Sequence, residues 1–176
     1  MVRIFFNQFK SRRWTCSTIN LREQVFKDLQ EENISIFSSD LQFDCCYEDL
    51  ERIKTNILKN NCDSIIAIGG GKVLDAGKLL GDWLSVPVIT IPLSASTCAG
   101  WTALSNIYSI NGQFIEDVEL KSCPKILVLY HGFIETAPKS TLASGIADAL
   151  AKWYESSLTS SKVKDGLVQQ LSLIHI

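Results

Sequence analysis

The sequence contains little proline and histidine, and neither sign of charge predominates in it. Its 176 residues include only 4 Pro and 10 Gly, too few for a low-complexity or disordered chain. The 17 basic and 19 acidic residues leave a net charge of −2 without a dense basic run, which argues against a nucleic-acid partner. No apolar run comes near the roughly 20 residues of a membrane span, and residues 1–20 lack the apolar segment of a signal peptide. We therefore expect a cytoplasmic protein without nucleic-acid or membrane partners.

Cysteine and histidine do not form a metal-binding or disulfide pattern. The six cysteines are Cys16, Cys45, Cys46, Cys62, Cys98 and Cys123. None of them belongs to a Cys-x-x-Cys pair, and with His131 and His175 as the only histidines no zinc-finger spacing exists. The pattern is typical of reduced thiols that serve as small apolar side chains in a reducing compartment.

Segments with helical and strand-like periodicity alternate along most of the chain, which is typical of a parallel α/β sheet. The sequence predicts helices over 21–33, 47–60 and 73–84. It predicts strands over 34–37, 64–68, 87–91 and 125–130, of which the last three are apolar runs expected to be buried on both faces. The dipeptide Asn111-Gly112 predicts the tight turn of a hairpin. The first 20 residues predict no convincing strand.

The character of the sequence changes near Lys139. Small residues recur from Ala143 to Ala151, which is typical of a helix packed closely on its neighbours, and no strand pattern follows. We therefore divide the chain into a Rossmann-like, parallel-sheet nucleotide-binding domain over 1–138, which residues 1–20 fit poorly, and the start of an all-α domain over 139–170.

The last six residues, 171–176, break the helical pattern. Their sequence LSLIHI is also what the transposase adapter of a common sequencing-library method encodes when it is read in frame. We expect a C-terminally truncated gene fragment that runs into an adapter-derived tail. A genuine apolar C-terminus is the alternative.

A strand that runs into Gly69-Gly70-Gly71-Lys72 and then a helix is the first chemical signal. Glycines let the backbone approach an anion closely, and a helix N-terminus offers free N–H groups and a positive dipole end, so a diphosphate fits there. A P-loop is excluded because Leu79 follows Lys78, and the dinucleotide fingerprint is excluded because Leu74 replaces its third glycine. The same junction also occurs as an ordinary tight turn.

Three motifs in register give the chain a family resemblance. They are Gly69-Gly-Gly-Lys-x-x-Asp75, the run Ser96-Thr-Cys-Ala-Gly-Trp-Thr-Ala-Leu-Ser105, and Ala143-Ser-Gly-Ile-Ala-Asp-Ala-Leu-Ala-Lys-Trp-Tyr-Glu155. Together they span roughly residues 44–157 and resemble the iron-type, metal-dependent alcohol dehydrogenases in the glycerol dehydrogenase branch. Within that branch, the second and third motifs are most similar to the hydroxycarboxylate dehydrogenases, which act on 2-oxo acids. The resemblance implies a fold like that of dehydroquinate synthase.

The resemblance implies a site for NAD or NADP. It places Gly70, Gly71, Lys72 and Asp75 at the phosphates and ribose, although an acid in the first helical turn can also simply complement the helix dipole. The resemblance matches further cofactor neighbours to Ser96, Thr102, Leu93, Leu104 and Tyr108. For the last three of these, ordinary core packing is the alternative. The loop that would discriminate NAD from NADP cannot be recognised.

Cys98 departs from the glycerol dehydrogenase pattern. Glycerol dehydrogenases have an aspartate there that accepts hydrogen bonds from the polyol. A cysteine cannot anchor hydroxyls in that way, and the missing acid relieves repulsion against a carboxylate substrate. Cys98 therefore favours a 2-oxo or 2-hydroxy acid over glycerol. A nucleophilic role is disfavoured because no local histidine is available to activate the thiol.

Asp148 matches the family's aspartate ligand to a divalent metal, Zn or Fe. The family completes that site with two downstream histidines, which this sequence lacks. One carboxylate holds Zn²⁺ or Fe²⁺ too weakly for catalysis, and a helical acid paired with Lys152 at i+4 is the alternative reading of Asp148. His131 has no family role and is expected on the surface or in a loop.

The sequence thus predicts an NAD(P)-dependent, metal-assisted oxidoreductase that interconverts an alcohol or 2-hydroxy acid and its carbonyl compound. The substrate is a small molecule, the chain by itself is expected to be inactive, and assembly into a homo-oligomer is left open. Two other functions compete: a 3-dehydroquinate synthase-like lyase with bound NAD, and a fragment that only binds a nucleotide.

Overall fold

The computed structural model describes residues 3–9, 16–32 and 34–160. The strands are β1 Arg3–Phe9, β2 Ser35–Leu41, β3 Ser64–Gly69, β4 Val88–Pro92, β5 Leu104–Tyr108, β6 Phe114–Glu119 and β7 Ile126–Leu127. The helices are α1 Cys16–Glu31, α2 Tyr47–Lys59, α3 Gly71–Leu84, α4 His131–Glu135 and α5 Lys139–Ser160. The predicted tail at 171–176, with His175, and the end of the predicted helical domain at 161–170 lie outside the described residues.

A five-stranded parallel sheet organises the chain, in the order β2-β1-β3-β4-β7. A separate antiparallel hairpin, β5–β6, carries the Asn111-Gly112 turn, where Gly112 has the positive φ of 77° that a tight turn requires. The predicted parallel α/β architecture and the predicted hairpin are therefore confirmed.

Strand β1 corrects the prediction that the first 20 residues contain no strand. It pairs in parallel with β2, from Arg3↔Ser35 to Phe9↔Leu41, and also with β3. The sequence Arg3–Phe9 lacks the continuous apolar run that marks β3 and β4, so its strand character comes from hydrogen bonding on both sides rather than from local pattern.

Strand β7 corrects the prediction of a buried strand over 125–130. Only two residues of that segment pair, and they pair with β4 alone. Ile126, Leu129 and Tyr130 each have more than half of their surface exposed. An apolar run at the edge of a sheet reads like a central strand in sequence, because periodicity does not report how many neighbours a strand has.

Two apolar clusters cover the two faces of the sheet. Successive residues of a strand point to opposite faces, and Ile65 and Ile66 of β3 accordingly belong to different clusters. On one face the sheet packs against α2, α3 and the hairpin, with Leu50, Leu79 and Ile107 fully buried. The other face is covered by α1 and α4. The core therefore holds the carboxyl ends of β3 and β4, and the loops that follow them, in fixed positions.

Helix α5 begins at the predicted boundary near residue 139, although the division into two domains stays a prediction. Its apolar residues Leu142, Ile146, Leu150 and Trp153 are each about half exposed, so the close packing predicted for this helix is seen only where Gly145 meets the loop at Ala95. No helix in the described part of the chain is long and apolar enough to cross a membrane.

Candidate nucleotide-binding site

The strand order creates a topological switch point beside β1. Strand β1 lies between β2 and β3, so the chain connections on its two sides run in opposite directions. In open α/β sheets, ligands bind at the carboxyl ends of the strands beside such a switch point. Strand β3 ends there at Gly69. The glycine loop of residues 69–71 therefore lies at the edge of the sheet that the carboxyl ends of the strands form.

The glycine loop leaves open space at the start of α3. Gly70 is the N-cap residue, and its carbonyl accepts the N–H groups of Val73 and Leu74 at 3.0 and 3.1 Å. A Cβ added to Gly70 would meet no atom within 4 Å, whereas one on Gly69 would collide with Val73 at 2.8 Å. The first N–H groups of a helix have no acceptor within the helix, so this opening is suited to an anion.

Lys72 is held to one side of the opening by a residue that the sequence analysis missed. Its ammonium forms an ion pair with the buried Asp44 and lies 5.1 Å from the centre of the Tyr108 ring. Asp44 is fixed in turn, because its other carboxylate oxygen accepts the N–H of Cys45 at 2.7 Å. Half of the Lys72 side chain stays exposed. No motif marks Asp44, so its role could not be read from the sequence.

Asp75 lies in the interior behind the loop. Its Oδ1 is 3.0 Å from Nζ of Lys78, a second residue that the sequence analysis did not single out. Burial raises the pKa of Asp75 above its ordinary value, and the Lys78 ammonium offsets part of that rise. The structure therefore brings Asp75 into a buried ion pair. The i,i+3 spacing of an acid and a lysine was the available sequence signal.

The loop of residues 94–101 packs against the glycine loop. The N–H of Leu93 donates to the carbonyl of Gly69 at 3.0 Å, and Cγ2 of Thr97 lies 3.0 Å from the position of a Cβ on Gly71. The hydroxyls of Ser94 and Ser96 are 3.1 Å apart. The structure thus places the loop that carries Ser96 against Gly71, with Leu93 buried beside Gly69.

The remaining residues of the predicted cofactor site flank this edge on the hairpin side. Thr102 is half-buried, and its hydroxyl lies 3.3 Å from Nζ of Lys78. Leu104 is 41% exposed, so it is a surface residue of β5 and not part of the core. Tyr108 stands between Lys72 and Phe114, with the two aromatic rings 6.1 Å apart and edge to face.

Cys98 lies in the same loop and is half-buried. Its carbonyl accepts the N–H of Trp101 at 3.2 Å, which closes the loop. Trp101 keeps 47% of its surface exposed. The loop thus carries both a predicted cofactor residue, Ser96, and the predicted substrate residue, Cys98.

Asp148 lies on α5, which contacts the same loop. A Cβ on Gly145 would lie 1.8 Å from the carbonyl oxygen of Ala95, so only glycine allows this close approach. The carboxylate of Asp148 is 43% exposed and lies 3.3 Å from Nζ of Lys152. Among the described residues, no three His, Cys, Asp or Glu side chains lie close enough to hold a metal ion. His131 is exposed at the start of α4, as expected.

Comparison with known proteins gives the chain a family. The model of the iron-containing alcohol dehydrogenases matches residues 15–131. An uncharacterized oxidoreductase of Synechocystis sp. is 44% identical over 122 residues, which are 69% of this chain and 32% of that protein. Glycerol dehydrogenase of Citrobacter freundii is 34% identical over 133 residues, 76% of this chain and 36% of that protein. Hydroxycarboxylate dehydrogenase A of Escherichia coli is 38% identical over 91 residues, 52% of this chain and 25% of that protein.

The fold agrees with that result. The crystal structure of glycerol dehydrogenase from Schizosaccharomyces pombe superposes with a TM-score of 0.75 at 24% identity, over 88% of this chain and 38% of that one. The chain thus spans about a third of the length of the curated relatives it matches. The family model covers well over half of the chain, including the glycine loop and the loop of residues 94–101, and the chain belongs to the iron-containing alcohol dehydrogenase family.

Proposed function

We propose that the chain binds the diphosphate of a nicotinamide dinucleotide, NAD or NADP, at the glycine loop. The observation that carries this proposal is the open space at Gly70, where helix α3 starts beside the switch point of the sheet. The helix dipole favours a negative charge there, and the backbone N–H groups can donate to phosphate oxygens. The donor groups at this edge therefore fit the cofactor that the family resemblance implies.

The neighbouring side chains would complete the nucleotide site. Lys72 contributes a positive charge that Asp44 keeps in place, which limits the net charge at the opening. The hydroxyls of Ser96 and Thr102 supply short polar contacts, and Leu104 offers an exposed apolar surface for a flat ring. Asp75 would support the glycine loop from its interior side, through its ion pair with Lys78, because its carboxylate is buried.

We propose that the whole protein is an oxidoreductase that interconverts a hydroxyl and a carbonyl group. The names of the relatives, glycerol dehydrogenase and hydroxycarboxylate dehydrogenase A, support this reaction class. When bound, the nicotinamide ring supplies or accepts the hydride. The residues of this chain would bind and orient it, with the loop of residues 94–101 between the cofactor and the substrate.

The proposed substrate is a 2-oxo or 2-hydroxy acid. The half-buried Cys98 supports this choice because it brings a thiol, and no carboxylate, to the loop beside Ser96. A thiol does not repel a substrate carboxylate as an aspartate would, and it offers no strong acceptor to the hydroxyls of a polyol.

A divalent metal, iron or zinc, is implied by the family resemblance, but the described residues do not form a complete site for it. A catalytic zinc site uses about three protein ligands, and the one candidate ligand, Asp148, is paired with Lys152 and belongs to no group of three such donors among the described residues. We propose Asp148 as one ligand in the whole protein. We expect residues 1–176 by themselves to be inactive.

An assay of the whole protein tests the proposed function. Its kcat/KM should be higher with NADH and a 2-oxo acid such as pyruvate than with NAD and glycerol. The variant Cys98→Asp should shift this preference toward glycerol, whereas Cys123→Asp, at an exposed cysteine outside the loop, should not. A wild-type preference for glycerol would overturn the proposed substrate class, and the lack of any nicotinamide-dependent turnover would overturn the proposed reaction.

A further inference from the structure

The turn of the hairpin β5–β6 is exposed at Asn111 and Gly112, which the proposed nucleotide site does not use. The N–H of Gly112 donates to the carbonyl of Ser109 at 2.8 Å, and the N–H of Ser109 donates to the carbonyl of Gln113 at the same distance. Gly112 has a φ of 77°, which a residue with a side chain rarely adopts. The turn is therefore in contact with water and is closed by short-range hydrogen bonds.

Asn111 is the one asparagine of the sequence that is followed by glycine, since every other asparagine precedes a larger residue. In an Asn-Gly pair the main-chain nitrogen of the glycine reaches the side-chain carboxamide with little steric hindrance, because glycine has no side chain. Asn106, in contrast, lies half-buried in β5 before Ile107. Exposed turn tips are also where the backbone opens most easily. The carboxamide of Asn111 is therefore the one most open to attack by the chain itself.

The reaction at this pair is an intramolecular displacement followed by hydrolysis. Once the N–H of Gly112 leaves the carbonyl of Ser109, its nitrogen bonds to Cγ of Asn111 and gives up its proton. The bond from Cγ to the side-chain nitrogen breaks, and that nitrogen leaves as ammonia. Water then opens the cyclic imide, at Cγ to give aspartate or at the main-chain carbonyl carbon to give isoaspartate. One water is consumed, one ammonia is released and no electrons are transferred.

The end of the hairpin packs on the segment that holds Lys72. A Cβ on Gly112 would lie 3.7 Å from Oδ2 of Asp44, and this is the oxygen that pairs with the Lys72 ammonium. The N–H of Tyr108 donates to the carbonyl of Cys45 at 2.8 Å, and the centre of the Tyr108 ring lies 5.1 Å from Nζ of Lys72. A change at residue 111 therefore takes place next to the contact between the hairpin and this ion pair.

From this placement we propose that the Asn111-Gly112 turn is a site of spontaneous deamidation, whose product puts a carboxylate beside the Asp44–Lys72 pair. Aspartate at position 111 adds a negative charge that competes with Asp44 for Lys72. Isoaspartate adds the same charge and lengthens the main chain by one carbon, so the hydrogen bonds that close the turn cannot all keep their geometry. The effect on dinucleotide binding rests on the proposed function, because added negative charge beside Lys72 disfavours a diphosphate.

Peptide mass mapping of the whole protein, aged at mildly alkaline pH, tests the site. Fragmentation should assign the mass difference between a carboxamide and a carboxylic acid to residue 111 and not to Asn106. An endoprotease specific for aspartate distinguishes the two products, because it does not cut at isoaspartate. Protein unfolded in guanidinium and aged in the same way is the reference. Asn111→Gln is the matched control, and it should stay unconverted because its carboxamide would have to close a larger ring.

Fluorescence titration of NADH measures the consequence. Asn111→Asp carries the charge of the product on an unaltered backbone, and it should weaken NADH binding about two- to threefold, the scale of one added charge at an exposed site. This difference should shrink in high salt, which screens exposed charges. Deamidated wild-type protein should lose at least as much affinity, whereas aged Asn111→Gln should bind NADH like the fresh variant.

The outcomes separate this inference from the proposed function. If residue 111 of the folded protein stays a carboxamide while the unfolded reference is converted, the fold protects the turn and the inference is wrong. If Asn111→Asp binds NADH as tightly as wild-type protein does, the inferred effect on Lys72 is wrong and the nucleotide site stands. If wild-type protein binds no NADH, the proposed function falls, and mass mapping still decides whether Asn111 is deamidated.

Discussion

Oδ1 of Asp49 lies 2.7 Å from Nη2 of Arg52, one turn further along α2, and this ion pair anchors the loop that carries Asp44. The other carboxylate oxygen of Asp49 accepts the N–H groups of Gln42 and Phe43 at 2.6 and 2.9 Å. Asp49 is almost completely buried, while Arg52 is about one third exposed. One carboxylate therefore holds the loop that leads from β2 to Asp44, and through Asp44 it holds Lys72 beside the glycine loop.

Replacing Asp49 should be costly for stability. Asp49→Ala would leave two backbone N–H groups and the Arg52 guanidinium without their acceptor, at a cost of about 3 kcal/mol. Urea unfolding of wild-type and variant protein measures this difference. Glu51→Ala is the control, because Glu51 forms an i,i+3 pair with Lys54 in which the acid is 59% exposed instead of buried, and its loss should cost less than about 1 kcal/mol. Equal costs for the two variants would contradict this role of Asp49.

The buried Asp75 gives a second prediction, on the pH dependence of stability. Burial raises its pKa in the folded protein, despite the Lys78 ammonium, above the value of about 4 of an unfolded chain. The folded state then holds this proton to a higher pH than the unfolded state. The contribution of Asp75 to stability should therefore fall as the pH rises from about 4 through the folded pKa, and stay level above it.

Asp75→Asn tests the sign of this effect, because the amide does not titrate. Between pH 4 and pH 7, wild-type protein should lose stability relative to the variant, as measured by urea unfolding at several pH values. A relative gain of stability for wild-type protein over the same range would show that the folded pKa of Asp75 is depressed.

Most of the fold could be predicted from the sequence, because its central strands and helices have clear apolar runs or helical periodicity. The apolar run of β3 and the helical period of α2 each predict the correct element. The observed ends of these elements differ from the predicted ends by one residue at most. β1 was missed because its pairing on two sides is a tertiary fact, and β7 was overestimated because exposure at a sheet edge leaves no trace in the pattern. A local sequence pattern indicates secondary structure, whereas the neighbours of a strand in the sheet are determined by the tertiary fold.

The candidate site was predictable where it depends on backbone and not where it depends on contacts between distant side chains. The glycine loop is a local sequence motif, so it could be located from the sequence alone. Asp44 and Lys78 could not, because Asp44 meets Lys72 across 28 positions of sequence and Lys78 meets Thr102 across 24. The interior position of Asp75 has a different cause: its partner Lys78 is only three residues away, but the burial of the pair depends on packing that local spacing does not show.

Cysteine labelling gives a third prediction. Burial raises the pKa of Cys45 far above that of a free thiol, and Asp75 and Asp44 add to this rise. Cys45 should therefore resist iodoacetamide at pH 8, because the thiolate is the reacting form, while the exposed Cys123 reacts. Peptide mass mapping after short labelling measures both.

The same labelling tests the position of Cys98. Saturating NADH and a 2-oxo acid should slow the labelling of Cys98 and leave that of Cys123 unchanged. Equal labelling rates at Cys98 with and without these ligands would place it outside the site.

Asp148 gives a fourth prediction, in which stability and function separate. Its pair with Lys152 is about half exposed on both sides, so Asp148→Asn should change the free energy of unfolding by less than about 1 kcal/mol. In the whole protein the same variant should lose metal-dependent turnover if Asp148 is a metal ligand. Lys152→Met serves as the control, because it breaks the same ion pair and keeps the carboxylate. Full turnover in Asp148→Asn would remove Asp148 from the proposed metal site.

The position of the nucleotide at the opening above Gly70 is the central claim, and a series of side chains at Gly70 tests it most directly. Gly70 has a φ of −85°, which any residue adopts, and its Cβ would enter empty space. The variants Gly70→Ala, Gly70→Val and Gly70→Leu should therefore leave thermal unfolding of the protein almost unchanged. Their NADH dissociation constants, measured by fluorescence titration, should rise with the size of the side chain, by about tenfold or more for leucine, because each added carbon occupies the space of the diphosphate. NADH affinity in Gly70→Leu equal to that of wild-type protein would show that the dinucleotide binds elsewhere.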